Sequence, residues 1–335
     1  KIPVDRLAEG TVQYFLEDGT PLKEGKYRTT DLSKSEQGFY VTANGLKSDV
    51  FKVSIREPFA EDAYETITYP VVFHLIQDKT KVELGQGVGA DIVNYAFNTI
   101  YNCFARTAAF SPNGADTKIR FRLAEYDPNG RKMEEKGINR YSLSTSDLNN
   151  LNPEKIKNNP KICWDYKRYL NIWIVENMGN SVSTPHYILN TADLNQIQGV
   201  SFEQLSLEEI EKQEYSLTDI GLIYGARDFA IEDVGYPTQM GKFFGLLDTE
   251  NQKEDYCEDT FAYNTYKEPW NTALEGSNSR LKISTDGLIF YSVNIMDASS
   301  YKNTISMDQV KRIRTITDNC PHRWAWKSDW AFTGK

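Results

Sequence analysis

The sequence predicts an α+β protein in two parts, a small all-β module over residues 1–62 and a larger domain over residues 67–335. Three observations point there. The first part alternates apolar and polar residues between turn signals, as half-buried antiparallel strands do. From Tyr69 onward, strand-like runs alternate with segments of helical period. The 335 residues, 40% hydrophobic and 25% charged, can bury a substantial core and suffice for one large domain plus a smaller one.

In the first part, Thr11-Val-Gln-Tyr-Phe-Leu16, Gly38-Phe-Tyr-Val-Thr42 and Val50-Phe-Lys-Val-Ser-Ile55 read as strands, with turns at Glu17-Asp-Gly19 and Ala43-Asn-Gly45. A meander of antiparallel strands is expected. Pro58 to Tyr64, acidic and weakly patterned, reads as the linker. The module carries no visible chemistry, so its expected role is support of the neighbouring domain rather than adhesion or spacing.

In the second part, Asp91 to Phe104 places Ile92, Tyr95, Ala96, Thr99, Ile100 and Cys103 at helical spacing, a helix expected to lie along a sheet. The Gly85-Gln-Gly-Val-Gly89 run before it fits neither the dinucleotide fingerprint nor the phosphate-binding loop, and reads as the turn leading into that helix. Residues 144–166 and 190–216, rich in Asn, Lys, Glu and Gln, read as insertions or surface helices.

Several function classes are excluded. A net charge of −9 and a pI near 5.1 argue against nucleic acid, whose phosphates need clustered Lys and Arg. No run of 18 apolar residues exists to span a membrane. There is no G-x-S-x-G, and no Cys and His pairing suggests a nucleophile. The four cysteines, Cys103, Cys163, Cys257 and Cys320, lack the C-x-x-C spacing of a zinc site. Their even number is compatible with two disulfides in an oxidising compartment; Cys103 with Cys163 and Cys257 with Cys320 is the expected pairing, from three that are open. The chain begins at Lys1 without Met, signal peptide or lipid-attachment Cys, as a trimmed mature chain would.

The most informative stretch is Tyr236-Pro-Thr-Gln-Met-Gly-Lys-Phe-Phe-Gly-Leu-Leu-Asp248. It has the frame of H-E-x-x-H-x-x-G-x-x-H/D, in which two His one helical turn apart bind zinc and the Glu acts as base. That frame puts Thr238 and Lys242 at the helix ligands, Gln239 at the base, Gly245 at the turn and Asp248 at the third ligand. Other segments resemble, in order, those of the pappalysin family of metzincin metalloproteases, particularly its exported bacterial lipoprotein branch. Tyr69-Pro-Val-Val-Phe-His-Leu-Ile76, Ile119-Arg-Phe-Arg-Leu-Ala-Glu-Tyr-Asp-Pro-Asn-Gly130 and Tyr169-Leu-Asn-Ile-Trp-Ile-Val175 are similar to its first three strands, and Gly137-Ile-Asn-Arg140 to the segment after the second. Gly221-Leu-Ile-Tyr-Gly225 is similar to the strand before the active-site helix. Asp255-Tyr-Cys-Glu-Asp-Thr260 resembles a D-x-x-x-D-T-P element, with Phe261 in place of Pro. Asn294-Ile-Met-Asp297 resembles the Met-turn and Ile305 to Arg314 the helix after it. The resemblance implies a metzincin-like domain with a mixed twisted sheet, an active-site-type helix and Met296 as a hydrophobic floor beneath it.

The chemistry of such an enzyme is missing. Thr and Gln are poor zinc ligands, a protonated Lys repels a cation, and Gln239 cannot take a proton from water. The chain has only three His, at 74, 186 and 322. His74 sits inside the first strand, where the family commonly has His, and reads as a hydrogen-bonded core residue; His186 is the one expected to border the cleft. No zinc is therefore expected, and no catalytic residues. Lys242 is expected to stand where the metal charge was, in a buried pair with Asp248, while Thr238 and Gln239 complete a polar network. Asp255, Asp259 and Asp297 are candidates for a structural calcium, against the simpler reading of solvated loops.

These residues point to a catalytically inactive metallopeptidase homologue, a pseudopeptidase, that binds a peptide or protein in its vestigial cleft along the sheet edge. The resemblance implies an exported protein, secreted or held at the cell envelope by a lipid anchor upstream. Two alternatives stand: an active zinc-dependent metalloendopeptidase with an atypical metal site, and a structural envelope module acting through the β domain.

Overall fold

The structure, a computed structural model, describes residues 12–29, 31–57, 60, 62–81, 88–107, 114–192, 197–231, 235–250, 254–265, 281–284, 289–297 and 302–335. Thr11, most of the 85–89 glycine run, residues 193–196 and parts of the expected linker (58, 59 and 61) lie outside the described residues. The chain divides into two compact units, residues 1–60 and 61–335.

The first unit is a four-stranded antiparallel sheet of β1 (Val12–Leu16), β2 (Glu36–Ala43), β3 (Leu46–Lys47) and β4 (Phe51–Ser54). The long β2 pairs with all three others, with Phe39 opposite both Leu16 and Phe51. It is a hub rather than the central strand of a plain meander. Asn44 and Gly45 turn the chain from β2 into β3 with φ of 51° and 78°, the positive values a two-residue hairpin loop needs.

The second unit is built on β5 (Ile67–Asp78), α1 (Ala90–Phe104), β6 (Ile119–Leu123), β7 (Ile138–Leu143), α2 (Thr145–Asn149), α3 (Pro153–Lys157) and β8 (Leu170–Val175). There follow β9 (Tyr187–Leu189), β10 (Glu203–Leu205), α4 (Leu207–Lys212), β11 (Gly221–Gly225), α5 (Ala226–Ala230) and α6 (Tyr236–Phe243). The last elements are β12 (Tyr263–Thr265), β13 (Leu281–Ser284), β14 (Ile289–Tyr291), α7 (Met307–Asn319) and α8 (Trp330–Thr333).

The main sheet has the order β11-β8-β5-β6, with β7 also on β5. β5 is its axis: β6 pairs with residues 67–71, β7 with 73–78 and β8 with 71–76. Strands covered on both faces read as unbroken apolar runs, and every residue of β8 and β11 is buried, as are 11 of the 12 in β5. Among the described residues the ladders between the named strands of this sheet are all parallel, so the expected mixed sheet is met only in part. The antiparallel component is a single bridge, Ser181 to Ile223 on the outer edge of β11. Strands β9 and β10 form a parallel pair, and β12, β13 and β14 an antiparallel sheet.

Helix α1 buries Val93, Ala96, Ile100, Cys103 and Phe104. The expected stripe is therefore rotated: Val93 replaces Ile92, and Tyr95 is exposed. The helix packs against β6 and α6, with Phe104 edge-on to Phe121 at 5.2 Å and Tyr69 edge-on to Phe244 at the same distance. On the opposite face, Leu148 of α2 and Ile156 of α3 join Ile76, Trp173, Val175 and Ile223 in one cluster. Residues 144–166 are thus partly core cover, not only surface insertion.

The expected disulfides are not formed; all four cysteines are free thiols. Each has its own surroundings. Cys103 donates to the Lys302 carbonyl at 3.4 Å, Cys163 packs on the Trp173 cluster, Cys320 lies with Ile188 and Ile316, and Cys257 follows Asp255 in a loop. Burial raises every one of these thiols, to about 12 for Cys103 and about 11 for Cys163, so they stay protonated.

Candidate functional site

Helix α6 follows β11 and packs against it and α1. Pro237 lies in its first turn, where a missing amide hydrogen costs nothing. Tyr236 anchors the start by donating from its hydroxyl to the Phe229 carbonyl. Midway, a Cβ on Gly241 would meet the Met296 sulfur at 2.9 Å and Ile295 at 3.1 Å. Met296, 1% exposed, therefore lies directly against the helix. At the far end Gly245 has φ +87°, and a Cβ there would meet Ile316 at 2.8 Å, so both conformation and space require glycine.

Thr238 and Lys242, four residues apart, share one face of α6. The Thr238 hydroxyl donates to the Ile295 carbonyl at 2.5 Å and accepts from the Lys302 ammonium at 3.0 Å. Lys242 Nζ lies 2.9 Å from Asp248 Oδ1 and 3.0 Å from Oδ2. Their side chains are 29% and 35% exposed, so the pair forms but is not buried as expected. Lysine explains this: its long stem carries the ammonium outward. Gln239 is partly exposed beside them.

The three histidines do not meet. His74 is fully buried within β5, stacked on Trp173 at 5.9 Å and edge-on to Trp164 at 5.1 Å. The Asn139 amide nitrogen donates to its Nδ1 at 2.9 Å, so Nε2 carries the proton and donates to Asn171 Oδ1 at 2.8 Å. This is a satisfied core residue, and burial lowers its pKa to about 4. His186 stands edge-on to Tyr187 at 4.5 Å and is partly exposed; its neighbour Pro185 is the residue that would face a Cβ on Gly245 at 3.6 Å. His322 is buried among the rings of Tyr166, Tyr187 and Tyr215, and burial, then the Arg323 charge, lowers it to about 4.

The calcium candidates are likewise apart. Asp255 accepts from the Thr260 hydroxyl at 2.7 Å and the Cys257 amide at 3.2 Å, and burial raises its pKa. Asp259 accepts from the Ser306 hydroxyl at 2.6 Å and the Asp308 amide at 3.0 Å, holding the start of α7. Asp297 accepts from the Thr249 hydroxyl at 2.6 Å. Among the described residues, no three or more His, Cys, Asp or Glu side chains are gathered to hold a metal ion.

Three site residues were not anticipated from the sequence. Lys302 is one. The others are two buried arginines that grip the end of α6: Arg312 Nε donates to the Gly245 carbonyl at 2.5 Å, and Arg323 Nε to the Phe243 carbonyl at 2.7 Å. Arg323 also lies 3.5 Å above the Phe243 ring. Cations at a helix C-terminus satisfy its orphan carbonyls and its dipole. Alternating with isoleucine in α7, Arg312 reads in sequence as a solvated charge; its 1% exposure is fixed by tertiary packing alone.

The sheet edge beside α6 is also shaped. Ser181 and Ile223 exchange two main-chain bonds of 2.8 and 2.9 Å, and Asn180 accepts from the Gly225 amide at 3.0 Å. Ser183 is pinned to Asp219 at 2.7 Å. A cavity of about 400 Å³ opens elsewhere, around the start of β7, between Met133, Glu135, Asn139, Arg140 and Trp164.

No protein-family model matches the chain, and no curated protein matches it. Solved structures do. A promirolysin mutant of Tannerella forsythia matches with a TM-score of 0.51 at 19% identity, over 81% of this chain and 87% of that one. Mature mirolysin of the same organism, in complex with a cleaved peptide, matches with 0.51 at 19% identity over 80% and 97%. Mirolysin in complex with a compound matches with 0.52 at 18% identity over 80% and 98%. The likeness is one of fold: this α+β chain has a fold similar to that of the metallopeptidase mirolysin.

Proposed function

We propose that this chain is a catalytically inactive, metzincin-like metallopeptidase homologue that binds a peptide or protein segment in its vestigial cleft. The observation that carries this reading is the Lys242–Asp248 ion pair at positions where the family frame calls for two metal ligands. A fixed ammonium repels zinc, and Asp248 spends its carboxylate on that ammonium rather than on a metal. Thr238 has its hydroxyl engaged on both sides, by Ile295 and Lys302. Gln239 stands where a general base is required and has no basic lone pair to offer at neutral pH. The donor set thus fits no catalytic zinc.

Peptide binding without hydrolysis is supported by the retained fold and by the sheet edge. Ser181 turns both main-chain groups toward β11, and antiparallel alternation would turn those of the next residue outward, where an extended segment can add by main-chain bonds. The mirolysin structure that holds a cleaved peptide supports the same class of ligand. Export to the cell envelope belongs to the proposal, resting on the family resemblance.

The experiment is incubation of the purified protein with a defined set of unmodified decapeptides, with and without a chelator, followed by mass spectrometry of bound and free peptides. Intact peptides retained in both conditions support the reading. Chelator-sensitive cleavage overturns it and returns the active metalloendopeptidase with an atypical site.

A further inference from the structure

The strand β7 carries an open edge. Its register on β5 runs from Phe73 opposite Ile138 to Asp78 opposite Leu143, and the Phe73 amide donates to the Gly137 carbonyl at 2.7 Å and the Lys79 amide to the Leu143 carbonyl at 2.8 Å. In a parallel ladder the residues that face the partner alternate, so Gly137, Asn139, Tyr141 and Leu143 turn their main-chain groups to β5 while Arg140 and Ser142 turn theirs outward. Both outward residues are exposed, and no described residue bonds to their main chain. Since β7 lies across β5 from β8 and β11, this edge is the opposite one from that beside α6. Unpaired main-chain groups in a row are a template for a further strand.

The cavity of about 400 Å³ opens at this same edge, because Asn139 and Arg140 of β7 line it. Ligand sites run from roughly 300 to 1,000 Å³, so its size suits one long side chain. Its apolar wall is preformed. Trp164, 5% exposed, is held by donation from Nε1 to the Lys161 carbonyl at 3.2 Å and by edge-on contact with His74 at 5.1 Å, and Met133 adds to the lining. The charged part of the wall is net negative. Arg140 is neutralised by Glu135, at 2.7 and 3.2 Å, which leaves the carboxylates of Asp127 and Glu134 in the lining without a cation. Asp127 is fixed by the Asn129 and Arg131 amides, both at 2.9 Å, and Lys136 of the same loop pairs instead with Glu125 at 3.3 Å. An aromatic and thioether wall with carboxylates complements an aliphatic stem that ends in a positive charge.

We infer that the β7 edge and this cavity form a second docking surface, which takes an extended polypeptide segment by main-chain bonds to Arg140 and Ser142 and receives one of its Lys or Arg side chains between Trp164 and Glu134. The surface is separate from the vestigial cleft and does not depend on it. The edge supplies affinity for any extended segment, and the cavity supplies the selection for a basic one.

The test measures fluorescence anisotropy of two labelled decapeptides of alternating Ser and Val, one with a single central Lys and the other with norleucine in its place. The full chain is compared with Glu134→Lys, at a carboxylate that has no partner, and with Ser142→Pro, whose lost amide hydrogen points away from β5 and so leaves the ladder intact. Wild type is expected to bind the Lys peptide about tenfold more tightly than the norleucine peptide. Glu134→Lys is expected to abolish that preference, and Ser142→Pro to weaken both peptides about tenfold at an unchanged melting temperature. Equal affinity of wild type for the two peptides, or a preference that survives in Glu134→Lys, overturns the inference; Glu134→Lys alone decides it should Ser142→Pro fail to fold. Displacement of the Lys peptide by Nα-acetyl-lysine amide at equal concentration would show a site for a small amine only and would overturn strand docking.

Discussion

The ammonium of Lys242 lies 2.9 Å from one carboxylate oxygen of Asp248 and 3.0 Å from the other, bridging the turn at Gly245. The pair ties the last turn of α6 to the chain beyond that turn. Because both side chains are about a third exposed, solvent screens it, and its net stabilisation is expected to be under about 1 kcal/mol. Lys242→Ala should therefore lower the melting temperature by no more than a few degrees. A larger loss in thermal denaturation would mean that the pair is shielded far more than its exposure implies.

The arginine grip is expected to matter more. Arg323 is 1% exposed and donates to Phe243 at 2.7 Å while stacking on its ring. Charged hydrogen bonds contribute about 1.5–3 kcal/mol each, and truncation also empties a filled space. Arg323→Ala should cost roughly 3 kcal/mol by denaturant unfolding, and a loss below about 1 kcal/mol would contradict its role as the clamp on α6.

At Gly245, an alanine would carry the left-handed conformation and press its Cβ to 2.8 Å from Ile316. Together these should destabilise by about 2–3 kcal/mol. Urea titration of Gly245→Ala checks this, with an unchanged midpoint as the contrary result.

Stability should fall with acid over a defined window. Burial lowers His74 and His322 to about 4 from 6.5, so between pH 6.5 and 4 the unfolded chain binds more protons than the folded one. The stability these groups contribute is complete above pH 6.5 and is lost progressively down to about pH 4. Asp255 and Asp297, raised by burial, act in the opposite sense as acid is added. His74→Gln should flatten the melting temperature against pH across that window; an unaltered slope would show that His74 is not the group titrating.

Much of the fold was legible because it rests on local pattern. The runs at β5, β8 and β11 are apolar enough that only a sheet covered on both faces can hold them, and Gly245 marks the end of α6 by its place in the motif. His74 was readable as core for the same reason. What failed depended on partners distant in sequence. Ser181 joins the sheet through its bridge to Ile223, a partner distant in sequence that its local pattern does not name. The cysteines count as an even set in sequence, while packing puts each in separate surroundings as a free thiol. No local signal marks Arg312, Arg323 or Lys302, and only the assembled chain turns them onto Gly245, Phe243 and Thr238. The face of α1 was misread by one position because Ile92 and Val93 satisfy the same period.

The most direct measurement is the metal content of the purified, tag-free protein after dialysis against zinc and then against metal-free buffer. The Lys242–Asp248 pair leads us to expect far less than one zinc per chain. Retention of about one zinc per chain would contradict a metal-free site and restore the peptidase reading.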